Sequence, residues 1–331
     1  MRFIEGPVKW GIIGCGDVCE VKSGPAFSKI HGSSLVAVMR RDAAKAEDFA
    51  KRHRVPVFYS DATELIQDKD VTAVYIATPP ESHETYAIEA MEAGKPVYIE
   101  KPVTITSSSC QRIAAASRRL LIPATVAHYR RALDLFQRVK KLITEGEIGD
   151  VKLVTLNLFQ PPKKTGPAEN WRVNPSLSGG GPFFDLAPHQ LDILYWLFGK
   201  PKSLYGSSVN QGKYYDAADV TTLNAVFDND IVFQGTWSFN IPAELKRDSC
   251  RIIGEKGSLE FPFFSSFTKA TLDVQGLNNY RQEDFIFPEH IQQPMITSVI
   301  NYFLGKGPNP CSLEEAETTM MMMEKANQPA G

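Results

Sequence analysis

The chain has 331 residues, of which 43% are hydrophobic and 22% are charged, and its formal net charge is −2 at pH 7. A chain of this length exceeds what one hydrophobic core usually organises, so the sequence predicts two domains, residues 1–127 and residues 128–331. Acidic and basic side chains are evenly mixed, which excludes the basic stripe of a nucleic-acid-binding protein.

The cysteines and the start of the chain indicate the cellular compartment. Five cysteines, an odd number, are scattered without the spacing of a disulfide framework or of a zinc site. Residues 1–7 lack the hydrophobic core of a signal peptide, and no apolar run is long enough to cross a bilayer. We therefore expect a cytoplasmic protein with reduced thiols, no bound metal and no membrane partner.

Residues 1–127 alternate short apolar runs with helical stretches. Five of these runs are predicted strands: Val8 to Ile13, Leu35 to Met39, Ala73 to Ala77, Val97 to Ile99 and Ala124 to Ala127. Runs that are apolar on both faces indicate parallel strands covered by helices, so we expect a doubly wound α/β domain. The sequence Ser23-Gly24-Pro25 interrupts the first helix, which we expect in two pieces, with Ser23 capping the second.

The pattern changes after residue 128. An amphipathic helix, with Leu135, Phe136 and Val139 on its apolar stripe, precedes several strands of alternating polarity. The predicted strands are Val151 to Phe159, Thr221 to Phe227, Ile231 to Phe239, Arg251 to Ile253 and Ser258 to Phe261, and the late helices are Glu289 to Leu304 and Leu313 to Ala326. Short turns between strands are typical of antiparallel meanders, so we expect an α+β second domain.

A glycine turn, Gly14-Cys15-Gly16, closes the first predicted strand and leads toward a helix. Two glycines alone are weak evidence, because they also serve ordinary turns. In this context the backbone amides can face the pyrophosphate of a dinucleotide, and Gly16 permits its close approach. Cys19 takes the place of the third glycine of the motif and is small enough for the helix to pack near the strand.

Arg40 and Arg41 follow the second predicted strand, where an acidic residue often binds the ribose of NAD. Arginines at this point can hold the 2′-phosphate of NADP, so the sequence favours NADP over NAD. The alternative is two arginines on a solvated surface, which composition alone leaves open.

Glu100-Lys101-Pro102 closes another apolar strand. A lysine that is buried beside a positively charged nicotinamide would favour its neutral amine, which can exchange a proton with a substrate oxygen. Glu100 can orient that amine. A surface turn is the alternative, but the carboxyl end of a parallel strand is where α/β folds bind ligands.

Asp185 and His189 stand four residues apart, just after Gly179-Gly180-Gly181, so a helix would present both on one face. A carboxylate and an imidazole are suited to proton exchange near neutral pH. Two alternatives remain: Asp185 caps a helix that begins close before Pro188, and His189 is structural. Asp192 could orient the imidazole or pair with solvent.

Together these residues resemble the Gfo/Idh/MocA family of NAD(P)-dependent oxidoreductases, which is named after glucose-fructose oxidoreductase, inositol dehydrogenase and a rhizopine-catabolism protein. The resemblance covers nearly the whole chain. Its marks are Trp10 to Gly16, Thr78 to His83, Glu100-Lys101-Pro102, Gly179 to His189 and the hairpin around Gly254 and Gly257.

The resemblance implies a Rossmann domain followed by an α+β domain with a large open, mostly antiparallel sheet. In this family such a sheet often forms homodimers or homotetramers, and the substrate lies between the domains. The implied cofactor-binding residues are Gly14, Gly16, Asp17, Val18, Arg40, Arg41, Thr78, Pro79, His83, Glu100, Lys101, Trp171 and Arg172. Tyr129 and Arg130 occupy a further position that borders the pocket in relatives.

The implied reaction is hydride transfer between NADP or NAD and a carbon that bears a hydroxyl or carbonyl group in a sugar, inositol or related polyhydroxy compound. Lys101, His189 and Asp185 would be the catalytic residues. Two alternatives lie within the same resemblance: an NAD-dependent glycoside hydrolase and a non-catalytic dinucleotide-sensing regulator. Regulators of this kind tend to lose the lysine and the histidine, and both are present here.

Overall fold

The computed structural model describes residues 1–162, 170–264, 266 and 268–329. Its contacts divide the chain into two compact units. The first unit comprises Met1–Tyr129 and Pro288–Glu317, and the second comprises Arg130–Phe287 and Thr318–Gly331. The segment Pro288–Glu317 therefore belongs to the first unit, whereas the sequence pattern assigns it to the second domain.

The first unit is built on a parallel sheet of six strands. These strands are β1 (Val8–Ile13), β2 (Ser33–Met39), β3 (Val57–Tyr59), β4 (Ala73–Ile76), β5 (Val97–Ile99) and β6 (Ala124–Val126). The helices between them are α1 (Asp17–Val21), α2 (Gly24–Lys29), α3 (Ala43–His53), α4 (Ala62–Gln67), α5 (His83–Glu92) and α6 (Ser107–Leu120). The strands lie in the order β3-β2-β1-β4-β5-β6. The predicted doubly wound α/β fold is confirmed.

Aromatic rings fill the core of the first unit. Trp10 lies on β1, and the rings of Tyr75 on β4 and Tyr98 on β5 stack with their centroids 5.1 Å apart. The ring of Phe303, near the other end of the chain, packs 5.6 Å from that of Trp10. All four side chains are fully buried. Because burial of a large aromatic ring is strongly favourable, these contacts explain why the late helix packs with the first unit.

The first helix is interrupted between α1 and α2, as the sequence predicts. A Cβ atom on Gly24 would lie 2.2 Å from the carbonyl oxygen of Cys19, so a larger residue does not fit here. Pro25 lies in the first turn of α2, where no helical N–H is needed. Ser23 holds the N-cap position of α2, as predicted, but its side chain does not cap the helix, because its hydroxyl donates to the carbonyl oxygen of Val18 at 3.2 Å.

The second unit carries an open sheet of eight strands. Its helices are α7 (Asp134–Thr144), α8 (Pro175–Ser178) and α9 (Pro182–Phe198). Its strands are β7 (Val151–Phe159), β8 (Ser203–Val209), β9 (Val220–Val226), β10 (Val232–Ser238), β11 (Arg247–Gly254), β12 (Gly257–Phe261), β13 (Lys269–Gly276) and β14 (Tyr280–Ile286). Their order is β14-β13-β12-β11-β7-β10-β9-β8, and among these pairs only β7 with β10 is parallel in the described residues. The predicted large, mostly antiparallel sheet is confirmed.

Two further helices follow the sheet in the chain. Helix α10 (Gln293–Phe303) lies in the first unit, and α11 (Leu313–Ala326) is divided between the units after Glu317. Both helices were expected from the sequence, and the bounds of α11 agree with the prediction.

Helix α9 begins earlier than expected. Its first residue is Pro182, and Pro188 lies inside the helix. Gly181 precedes the helix with a φ of +73°, and a Cβ there would lie 2.4 Å from the Cβ of Ala217. Proline suits a first helical position, whereas Pro188 removes one internal hydrogen bond without ending the helix. Ten side chains of α9 are buried, and this packing outweighs the lost hydrogen bond.

Within the described residues, no helix combines the length and the apolar character that a membrane span requires. All five cysteines belong to the described part of the chain, all are buried, and none forms a disulfide there. Burial raises the pKa of the Cys15 thiol to about 11, so this residue beside the glycine turn is a poor nucleophile.

Candidate active site

Four of the predicted segments meet at the carboxyl edge of the parallel sheet. The glycine turn follows β1, Arg40 follows β2, Thr78 follows β4 and Glu100 follows β5. Strand order reverses at β1, which lies between β2 and β4. This reversal leaves a crevice at the carboxyl ends of the strands, where doubly wound sheets bind dinucleotides.

The glycine turn has the geometry that a pyrophosphate requires. Gly14 has a φ of +91°, and a Cβ there would lie 2.7 Å from Thr78 Cγ2 and 2.9 Å from the carbonyl carbon of Ala77. By contrast, a Cβ on Gly16 would meet only the carbonyl oxygen of Gly14, at 3.9 Å. Gly14 therefore allows close packing of two loops, and Gly16 leaves the turn open to a ligand.

The residues after the turn have different environments. Asp17 is exposed, Val18 is partly exposed and Cys19 is fully buried. Asp17 begins α1, and the Cys19 side chain lies 3.8 Å from the carbonyl oxygen of Gly14. The small thiol at the third position of the motif thus packs against the turn.

The two arginines after β2 also differ. Arg40 is partly buried, and its Nη1 donates to the carbonyl oxygen of Cys15 at 3.5 Å, whereas Arg41 is exposed. The next residue, Asp42, accepts from the backbone N–H of Lys45 at 3.2 Å and caps α3. The carboxylate that follows the arginines therefore caps α3, and Arg40 contacts the glycine turn directly.

The loop after β4 is connected to the turn after β5 through His83. Its Nε2 lies 2.8 Å from the carbonyl oxygen of Thr78, and its Nδ1 lies 3.1 Å from that of Val103. His83 is fully buried, and burial lowers its pKa. As a neutral imidazole it donates to one of these two carbonyl oxygens, and its buried ring packs between the Thr78 loop and the turn after β5.

We expect the free energy of unfolding of the His83→Gln variant to fall less steeply with decreasing pH than that of the wild type. The native ring has a pKa below the unfolded value of about 6.5, so the unfolded chain binds more protons below that pH. Stability from this group is thus complete above about pH 6.5 and falls as the pH decreases. Urea unfolding at several pH values measures the slope. The exposed His31→Gln is the control, and an unchanged slope in His83→Gln would contradict the prediction.

Glu100 is the centre of a buried hydrogen-bond network. Its carboxylate Oε1 accepts from the Tyr75 hydroxyl at 2.5 Å and from Gln292 Nε2 at 2.7 Å. Its Oε2 accepts from the backbone N–H of Lys101 at 3.0 Å. The Lys101 side chain is partly exposed at the edge of the sheet, and its bond to Pro102 is cis. Glu100 therefore fixes the backbone from which the lysine side chain extends.

Asp185 and His189 lie one turn apart on α9, so they share a face, as predicted. Asp185 is not the helix cap, because Gly181 holds that position. Its carboxylate lies 3.4 Å from the guanidinium of Arg172, which stacks 4.8 Å from the centre of the Trp171 ring. The predicted Trp171-Arg172 pair is thus brought to the catalytic candidates of the second unit.

Asp192 does not pair with solvent. It is buried, and its two carboxylate oxygens accept from Arg131 Nε at 2.9 Å and Arg131 Nη2 at 2.7 Å. A buried bidentate pair of this kind holds α9 to the segment that precedes α7. Arg131 was not predicted from the sequence, because no periodicity links it to Asp192.

His189 packs against an aromatic loop that the sequence analysis also missed. The ring of Phe264 lies 5.7 Å from the imidazole, and the Arg130 guanidinium lies 4.7 Å above the same ring. Asp248 accepts backbone N–H groups from Phe263, at 3.0 Å, and from Phe264. Burial raises the pKa of Asp248. This loop therefore places an aromatic ring beside the candidate proton-transfer group.

The predicted site residues form two sets. The first unit holds the glycine turn, the arginines, the Thr78 loop and Lys101, and the second holds Trp171, Arg172, Asp185 and His189. Tyr129 is the last residue of the first segment of the first unit, and Arg130 opens the second unit. Both are buried.

Comparison with known proteins agrees with this geometry. Residues 8–145 match the oxidoreductase family with an NAD-binding Rossmann fold, and residues 136–260 match the Gfo/Idh/MocA C-terminal domain. The chain belongs to the Gfo/Idh/MocA family. It is therefore an oxidoreductase with NAD(P) as its cofactor.

Two relatives and one solved structure are similar to this Gfo/Idh/MocA protein. Oxidoreductase P35 of Formosa agariphila is 42% identical over 97% of the chain and 98% of its own length. Inositol 2-dehydrogenase of Burkholderia ambifaria is 25% identical over 76% of the chain and 73% of its own length. Aldose-aldose oxidoreductase of Caulobacter crescentus, solved with glycerol, is 19% identical, covers 96% of both chains and has a TM-score of 0.84. The last shows a shared fold.

Proposed function

We propose that this protein transfers a hydride between nicotinamide and the hydroxyl- or carbonyl-bearing carbon of a sugar, inositol or related polyhydroxy compound. The observation that carries the proposal is the position of Lys101. Its backbone is held by buried Glu100 at the same sheet edge as the glycine turn. The inositol 2-dehydrogenase among the relatives supports a polyhydroxy substrate.

The chain's own residues supply the proton chemistry in this proposal. Bound NAD(P) supplies the hydride acceptor for oxidation or the donor for reduction. In the oxidation direction, His189 takes the hydroxyl proton as the carbon loses its hydride, and a carbonyl group forms. Lys101 polarises the same oxygen, and Asp185 orients a neighbouring hydroxyl group or the imidazole.

We propose that NADP is preferred. Arg40 is held against the glycine turn, and exposed Arg41 adds a second positive charge after β2. Asp42 carries a carboxylate that would repel a 2′-phosphate. This carboxylate caps α3, where it accepts a hydrogen bond from the backbone N–H of Lys45. Guanidinium groups pair well with phosphate, which supports NADP over NAD.

We also propose a cytoplasmic homodimer or homotetramer that forms through the open sheet. One face of β7 is buried at Val154 and Leu156, whereas Thr155 between them is partly exposed. On the edge strands, Tyr205 is 70% exposed and Ile286 is 84% exposed. A broad sheet face with exposed apolar side chains suits association with a second copy.

Turnover of a polyol and sugar panel tests the proposed function. The expected result is stoichiometric formation of NADPH from NADP⁺ with at least one compound, with a higher kcat/KM for NADP⁺ than for NAD⁺. Cleavage of aryl glycosides without net cofactor consumption would instead favour the glycosidase. Tight dinucleotide binding without any turnover would favour the regulator, and clearly better use of NAD⁺ would overturn the NADP preference.

A further inference from the structure

Gln292 connects distant parts of the first unit. It lies just before α10, almost two hundred positions after Glu100, yet its side chain is fully buried against that carboxylate. Gln292 Nε2 donates to Glu100 Oε1 at 2.7 Å, and the Tyr75 hydroxyl donates to the same oxygen at 2.5 Å. Glu100 Oε1 therefore has two neutral donors, and Oε2 remains for the backbone N–H of Lys101.

The surrounding phenols determine which way the Gln292 amide points. The Tyr98 hydroxyl donates to Gln292 Oε1 at 3.4 Å, so the amide nitrogen faces Glu100. Burial and the negative charge of Glu100 raise the pKa of Tyr75 and Tyr98 well above the ordinary value. Both phenols stay protonated, and each therefore acts as a donor.

The same segment also contacts the break in the first helix. The backbone N–H of Gln292 donates to the carbonyl oxygen of Lys22 at 3.1 Å. His290 Nδ1 lies 2.7 Å from the carbonyl oxygen of Val21, and because a carbonyl can only accept, this nitrogen carries the proton. These carbonyls end α1, which starts at the glycine turn. The backbone of residues 290–292 is thus fixed independently of the Gln292 side chain.

We infer that Gln292 is a positioning residue for the reaction, and that it acts through Glu100 on Lys101. The inference rests on the proposed role of Lys101. Two neutral donors hold one carboxylate oxygen in place, so the other oxygen holds the lysine backbone in a single orientation. Without Gln292 Nε2, the Glu100 carboxylate can rotate. The backbone of Lys101 is then less firmly held, and the position of its amine is less well defined.

A double-mutant cycle tests this inference. Gln292→Met keeps the backbone N–H and the length of the side chain but removes the amide. It is expected to lower kcat by about tenfold to a hundredfold while leaving the KM for NADP⁺ within about twofold. In a Lys101→Ala background the same substitution should change kcat by less than about twofold, because its effect passes through the lysine.

Two matched variants separate positioning from general packing. Tyr75→Phe removes the other donor to Oε1 and should reproduce the kcat loss, even where Gln292→Met folds poorly. Tyr302→Phe removes a buried phenol of α10 whose ring packs against Phe3 and Phe303, and it should leave kcat near the wild-type value. The inference would be overturned if Gln292→Met lowered kcat equally in the wild type and in the Lys101→Ala background. A change in KM with kcat unaltered would overturn it as well.

Chemical labelling measures Lys101 without any substrate. Competitive acetylation at several pH values gives the labelling rate of Lys101 relative to exposed Lys69. Gln292→Met and Tyr75→Phe are expected to change this ratio beyond the replicate error, and Tyr302→Phe is expected to leave it unchanged. If the wild type turns over no polyol, the proposed function fails, and an unchanged ratio alone then overturns the positioning role.

Discussion

Replacing Lys101 by alanine is expected to lower kcat by about a hundredfold to ten-thousandfold while NADPH still binds. The amine acts on the substrate oxygen as charge develops there, so its loss raises the barrier more than it weakens the ground state. The backbone of residue 101 keeps its hydrogen bond to Glu100, so the turn is retained. Steady-state kinetics and fluorescence titration with NADPH measure the two effects separately.

Lys69→Ala is the control for Lys101→Ala, because Lys69 is an exposed lysine away from the edge of β5. It should leave both kcat and NADPH binding unchanged. If Lys101→Ala retains wild-type turnover, Lys101 has no part in the chemistry. If it loses NADPH binding as well, the lysine belongs to cofactor binding instead.

His189→Ala is expected to lower kcat by a similar factor, about a hundredfold to ten-thousandfold, and added imidazole should restore part of the rate. His189 is almost fully buried against Phe264, so its removal leaves a cavity that imidazole can enter. Restoration by a free base identifies a proton-transfer role, which a purely structural histidine would not show. The measurement is kcat at increasing imidazole concentration, with NADPH binding checked in parallel.

The exposed His31→Ala is the matched control, and imidazole should not change its rate. A His189→Ala variant with full activity would remove His189 from the mechanism. Lost activity that imidazole cannot restore, together with a large fall in the unfolding temperature, would favour a structural histidine. The role of Asp185 can be compared in the same assay through Asp185→Asn.

Much of the first unit was predictable because its strands are apolar on both faces. The bounds of β1 and β5 agree with the sequence-based prediction, and so does the break before Gly24. Strand β3 was not predicted, because it has only three residues and lies exposed at the edge of the sheet. Such a strand carries too little hydrophobic pattern to be recognised.

The second unit was harder to predict, because its edge strands lack a clear pattern. Strand β7 agrees with the prediction, whereas β8, β13 and β14 were not predicted. Every residue of β14 is at least partly exposed, and its sequence does not alternate between apolar and polar side chains. The start of α9 was predicted too late in the chain, because a proline such as Pro188 destabilises the inside of a helix unless packing offsets the cost.

The candidate groups of the proposed site stand in local motifs that the sequence reveals, whereas the residues that support them do not. The glycine turn, Lys101 and the Asp185 and His189 pair stand out, since each sits in a short recognisable segment. Gln292 and Phe264 do not, because each meets its partner across a large sequence separation. Contacts of that kind depend on the tertiary fold, which periodicity does not encode.

The discontinuous first unit has a consequence for how the protein is made. A ribosome releases residues 1–129 long before Phe303 and Gln292 emerge, so the nascent dinucleotide-binding core must wait with one side of Trp10 uncovered. The carboxylate of Glu100 also lacks one of its two neutral donors during that interval. The first unit is therefore completed late in synthesis, because residues 1–129 lack the segment Pro288–Glu317 that packs with them.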